Sequence, residues 1–217
     1  MTRAFDRREF LKLTASGLLG VALLGSVGAA KTLAQAGTSP SASLTAEFEE
    51  AAQAYGVPVE LLMAMGYVNT RWEMPPPEAN EYERGDPHGW GSYGIMALVQ
   101  NPYSDTLGEA SRLTGIPEEM LKTDRAANIL GGAALLASSA GRYVSGNPSD
   151  FYGAVAGRRL AAGRNYSAVS GVGAGELYAE QVFGTLRTGA SKTIFSGEAV
   201  SLPARMPRPG IGNLYGR

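Results

Sequence analysis

Asn69, Arg71, Trp72 and Glu73 sit within five residues of each other and bring together an amide, a guanidinium, an indole and a carboxylate. A carboxyl beside an apolar ring has its charged form disfavoured. Its pKa rises, and it becomes a general acid at neutral pH. Glu73 is therefore the candidate catalytic residue, with Trp72 as the group that would desolvate it. A glutamate at the end of a helix is also commonly a solvated surface group, or here a partner for Arg71; sequence alone keeps both readings open. Asn69 donates and accepts hydrogen bonds but supplies no proton at a useful rate. Glu78, Glu81, Glu83 and Asp86 follow in a charge-rich stretch that reads as solvated loop. Tyr67, Trp72, Trp90 and Tyr93 offer aromatic faces for stacking; a lone aromatic is more often core packing, and Trp90 and Tyr93, which flank a glycine-rich segment, fit that reading least.

Other chemistries find little support. The chain has one histidine and no cysteine, so a zinc site would need mostly carboxylates, and His88 lies in the polar loop Asp86-Pro87-His88-Gly89. No metal site and no cofactor is expected. Gly171 to Gly175 is glycine-rich, but no strand precedes it and no Gly-Lys-Ser/Thr follows, so it reads as loop and not as a phosphate cradle. The 217 residues are 44% hydrophobic and 18% charged, with a formal net charge of −1. One globular domain is the natural size, and no basic stripe exists to bind nucleic acid.

The elements that must position these residues are helical. Thr45 reads as an N-cap for a helix whose Phe48, Ala51, Ala52 and Tyr55 share one face until Gly56 stops it. Pro58 opens a second helix that runs to about Trp72, putting Glu73 one turn beyond Asn69 on the same side. Met74 to Gly91 is a long loop. Helical spacing returns near Ser104, again after Pro117, and then in a long Ala- and Leu-rich helix behind Asp124. Phe151 to Ala162 and Glu176 to Leu186 read as further helices. Thr193 to Phe195 and Ala199 to Leu202 read as a hairpin around Ser196-Gly197.

The N-terminus carries a separate message. Arg7-Arg8-Glu9-Phe10-Leu11-Lys12 matches a twin-arginine export pattern, Leu13 to Ala30 is apolar, and Ala34-Gln35-Ala36 suits a signal peptidase. The expected organisation is an export signal over 1–36, a linker over 37–44, a helical domain over 45–190, a hairpin over 191–204 and a flexible tail over 205–217. An uncleaved membrane anchor is the alternative for the apolar run. Contact with a membrane is expected only through this segment.

Leu61-Leu62-Met63-Ala64-Met65-Gly66-Tyr67-Val68-Asn69, then Gly91-Ser92-Tyr93-Gly94-Ile95-Met96, resembles the catalytic core of the lysozyme-like, soluble lytic transglycosylase superfamily. Asp124-Arg125-Ala126-Ala127-Asn128-Ile129 is similar to a later helix of that family, in which the asparagine ties the helix start to the sugar groove. The resemblance spans about Thr45 to Gly141. It implies an all-α, lysozyme-like fold with a small C-terminal β-hairpin and peptidoglycan glycan strands as the partner. It places Asn69, Trp72, Trp90, Tyr93, Met96 and Asn128 at the sugar groove.

The same resemblance puts Asn69 where the family has its catalytic glutamate, Ala97 where it has a glutamine, and Ala156-Gly157-Arg158-Arg159 where it has a tyrosine-asparagine motif. Three losses imply a degenerate site. A muramidase or transglycosylase using Glu73, or an acid of the long loop, is the enzymatic alternative. The chain also resembles the N-terminal lysozyme-like region of secreted N-acetylmuramoyl-L-alanine amidases, up to a junction like Gly197 to Ala204. That implies a targeting region of an amidase, or one acting with a separate amidase; the amidase's own zinc ligands are not in this sequence.

Overall fold

In the computed structural model the described residues are 42–84, 91–141, 146–157 and 174–206. The export segment, the linker up to Ser41, Asp86, His88, Trp90, Arg158, Arg159 and the tail beyond Met206 lie outside them. The described residues are helix-rich, with small antiparallel sheets.

Helix α5 (Arg125–Ala140) is the strut of the domain. Asp124 caps it by accepting from the Ala127 N–H at 2.7 Å, as its position predicts. Most of its residues are buried, from Asn128 and Ile129 through Gly131, Gly132 and Ala133 to Leu136. A helix apolar on nearly all sides belongs inside, and its small residues let neighbours come close. Helices α1 (Leu44–Tyr55), α3 (Thr106–Thr114) and α4 (Glu118–Thr123) pack on it. Helix α2 (Val59–Thr70) lies against α1 and against α7 (Ala174–Thr188), and the short α6 (Tyr152–Val155) packs on both α5 and α7.

Two sheets complete the domain. Strands β1 (Ser92–Tyr93), β2 (Leu98–Asn101) and β3 (Ser104–Asp105) form an antiparallel meander, with Ser92 opposite Val99 and Gln100 opposite Asp105. Strands β4 (Ala190–Thr193) and β5 (Ala199–Leu202) form a hairpin, with Ala190 opposite Leu202 and Thr193 opposite Ala199; its first strand ends at Thr193, where the strand was expected to begin. Ile194, Val200 and Leu202 root that hairpin in the core. The meander is not foreshadowed in the sequence. Its outer strands are two residues long, too short to show an alternating pattern.

Several boundaries differ from expectation. The N-cap of α1 is Ser43, whose hydroxyl accepts from the Ala46 N–H at 3.2 Å, so Thr45 lies inside the helix. Helix α3 begins at Thr106 and not near Ser104, because the Asp105 carboxylate caps it through the Gly108 N–H at 2.9 Å. Helix α2 stops at Thr70, two residues early.

The start of α1 is held by distant parts of the chain. Arg125 grips Glu47 through two bonds of 2.6 and 2.8 Å and donates to the Ala42 carbonyl at 3.2 Å. The hydrogen bond to Glu47 holds the guanidinium above even its usual high range. Glu198, from the hairpin, accepts from the Leu44 N–H at 2.7 Å.

Two glycines separate backbone from steric cost. Gly56 has φ 65° and open space around it, whereas Gly94 has φ 69° and a Cβ there would lie 2.6 Å from Asn128 Oδ1 and nearer still to the rest of the amide. Gly56→Ala is expected to cost about 1–2 kcal/mol. Gly94→Ala adds overpacking and is expected to exceed about 3 kcal/mol in total. Urea denaturation of both variants measures this, and equal losses would show that the contact with Asn128 does not matter.

Candidate functional site

The site is built around one tight turn held between two amides. From α5, Asn128 is fully buried. Its Oδ1 accepts from the Met96 N–H at 2.8 Å, and its Nδ2 donates to the carbonyls of Tyr93 at 3.0 Å and Leu121 at 2.7 Å. From α2, Asn69 Nδ2 donates to the Met96 carbonyl at 3.1 Å, and the Thr70 hydroxyl reaches the Ile95 carbonyl at 3.4 Å and its own helix at Gly66. The turn closes on itself through Ala97 N–H to Gly94 O at 3.0 Å. Ala97 sits in the left-handed region at φ 51°, a strained place for a residue with a Cβ.

Behind Met96 lies a cavity of about 60 Å³ walled by Met65, Met96, Ala97, Leu135, Leu136, Val155 and Tyr178, among others. One water needs roughly 10–15 Å³, so this space admits a few waters or one small apolar substituent. Its hydroxyls are occupied where Ser139 donates to Leu135 O at 2.8 Å and Thr106 accepts from the Val99 N–H at 2.7 Å. No carboxylate is among its described lining residues.

Of the described residues expected at a groove, Met96 alone lines this cavity, and Asn69 touches it through the Met96 carbonyl. Asn128 and Tyr93 are buried, and Asn128 spends both ends of its amide inside the protein. It is a clamp on the turn and offers no surface to a sugar. Lys122 Nζ stands 4.8 Å from the centre of the Tyr93 ring. Trp72 is also fully buried, its indole N–H donated to Met63 O at 2.7 Å. It is a core residue, not a groove wall. Trp90 lies outside the described residues.

Glu73 is carried away from Asn69. After Thr70 the chain makes two left-handed steps, Arg71 at φ 56° and Trp72 at φ 63°. These fold Trp72 back beneath α2, where Gly66 leaves room: a Cβ there would lie 2.9 Å from Phe48 and 3.4 Å from Trp72. Each such step costs on the order of 1–2 kcal/mol. The bonds from Arg71 N–H to Tyr67 O at 2.9 Å and from Trp72 N–H to Gly66 O at 3.3 Å help to offset it. Glu73 Oε1 then meets Lys192 Nζ at 2.5 Å, and Oε2 accepts from the Phe195 N–H at 3.2 Å. Arg71, the partner considered from sequence, instead stacks over the Tyr67 ring at 4.5 Å.

Sequence reasoning missed Lys192 and most of the cavity wall. Met65 carried a signal, four residues before Asn69 on one helix face; Tyr178 carried none. Among the described residues no group of three His, Cys, Asp or Glu could hold a metal ion, and no helix is long and apolar enough to cross a membrane. Comparison of the chain with protein-family models, curated proteins and solved structures finds no match.

Two substitutions test the clamps. Asn128→Leu strands the Met96 N–H and two carbonyls in the interior, each costing about 1–3 kcal/mol, so a loss above about 3 kcal/mol is expected from chemical denaturation. Asn69→Asp sets a carboxylate against the Met96 carbonyl, and only the protonated acid can donate there. The folded pKa of the introduced acid should rise above its unfolded value of about 3.9. A raised acid binds more protons folded than unfolded. The variant should therefore match the parent's stability below about pH 3.9 and fall behind it by about 1–3 kcal/mol at pH 7. A pH-independent difference between the two proteins would show that the Met96 bond is unimportant.

Proposed function

We propose that this chain is an exported cell-wall protein whose lysozyme-like, essentially all-α domain binds peptidoglycan glycan strands without cleaving them. One observation carries the reading. At the position where the resemblance puts a catalytic acid stands the Asn69 amide, which donates to the Met96 carbonyl. Glycosidic cleavage needs a proton delivered to the leaving oxygen, and an amide does not deliver it. Among the described residues that line the cavity behind Met96, none is an acid. The turn that would face the glycan is nonetheless firmly held.

Cleavage with Glu73 as the acid is the competing reading. It meets a carboxylate already engaged by an ammonium and a backbone N–H, beyond a chain reversal from Asn69. A targeting role beside a separate amidase is compatible with the binding reading and would be its physiological setting.

The exported domain should co-sediment with insoluble peptidoglycan and release no more soluble muropeptide than buffer does. Robust turnover by the parent would overturn the reading. Asn69→Glu is expected to introduce turnover, since a positioned general acid contributes roughly 10²–10⁴-fold. A folded Asn69→Glu variant without turnover, together with a parent that does not sediment, would leave no glycan function for this domain.

A further inference from the structure

We propose that Glu73 and Lys192 form a positioning pair for the candidate site: the C-terminal hairpin, through Lys192, holds the left-handed step after α2 and thereby sets Asn69 and Thr70 on the Met96–Ile95 turn. The pair acts on the turn indirectly. Its influence passes through the backbone of residues 70–73.

The geometry supports this at each link. Lys192 Nζ bonds both the Glu73 carboxylate at 2.5 Å and the Arg71 carbonyl at 3.4 Å. One ammonium therefore spans both sides of the Arg71–Trp72 reversal. The second Glu73 oxygen accepts from the Phe195 N–H at the hairpin's tip. Glu73 N–H returns to Thr70 O at 3.2 Å, closing the reversal onto the residue that reaches Ile95. Asn69 precedes that residue and holds Met96. The hairpin is a firm base for such a hold, because Ile194, Val200 and Leu202 are buried. A second ion pair, Arg205 with Glu60, ties the same C-terminal segment to the opposite end of α2. It serves as an internal control, since it anchors the segment at a distance from the reversal.

The inference rests on the glycan-binding reading only for its effect on affinity; its structural part is tested separately. The probes are the Asn69 side-chain amide resonance, identified by its loss in Asn69→Asp, and sedimentation with purified peptidoglycan. Glu73→Gln keeps an acceptor for Phe195 but removes the charge, and Lys192→Met removes the ammonium. Each should speed solvent exchange of the Asn69 amide by about fivefold and weaken sedimentation to a similar degree, as expected for losing a partly buried pair. The double variant should be no worse than either single one, because the two act as a unit. Arg205→Met should lower the melting temperature and leave the Asn69 amide unmoved.

An Asn69 amide unchanged in both Glu73→Gln and Lys192→Met overturns the proposal, whatever happens to stability. An amide that moves equally in Arg205→Met overturns it too, since the effect would then be general loosening. If Glu73→Gln does not fold, Lys192→Met and Glu73→Asp carry the same readout. A parent that fails to bind peptidoglycan defeats the functional reading alone, and the amide measurement still decides this one.

Discussion

The buried amide of Asn128 is the constraint on which the rest of the domain turns. A side-chain amide at full burial is tolerated only if its donor and acceptor groups find partners, and here they do. The amide leaves the body of α5 and finds its partners in two places, the turn before β2 and helix α4. One side chain thus fixes the distance between the central helix and the tight loop that faces the cavity. Gly94 and Gly132 follow from it. The first keeps the turn's backbone against the amide, and the second leaves space for Met96, whose Cγ would lie 2.7 Å from a Cβ placed there. The strength of the arrangement is also its exposure to damage. No single polar atom in it can be removed without stranding another.

The helical frame was legible because its signals are local, except over Phe151 to Ala162, whose described part is α-helical only over Tyr152–Val155. Asp124 as a cap, Gly56 and Gly115 as stops and the small-residue face of α5 all act within a few residues of themselves. The hairpin's turn and second strand were legible for the same reason, with Ser196-Gly197 before Ala199–Leu202, whereas its first strand, Ala190–Thr193, precedes the apolar run of Thr193 to Phe195. The meander was not, since Ser92–Tyr93 and Ser104–Asp105 carry no period and pair only because Asn128 and Thr106 hold the loops around them. The site divided along the same line. Asn69, Met96 and Asn128 were found by their place in a familiar order of residues, and they do converge. Asn128 ties its helix to the turn, the structural role the resemblance implies, and Trp72 is interior, the commoner place for a lone aromatic; that neither faces a groove no spacing rule reveals. The fate of Glu73 depended on Lys192, 119 positions away, and on two positive φ angles that no residue type announced.

Among the described residues the non-glycine positions with positive φ, Arg71–Trp72 and Ala97, lie on either side of the Asn69–Met96 bond. Backbone strain persists where surrounding contacts over-determine it, and it gathers at places where geometry is held for a purpose. Here they stay bent, each secured by backbone hydrogen bonds.

Glu198 on the Leu44 N–H and Arg125 on the Ala42 carbonyl bring the opening residues of the folded unit beside its closing hairpin. The first helix and the hairpin therefore loosen together: fraying of α1 frees Glu198, and opening of the hairpin leaves the Leu44 N–H without its acceptor.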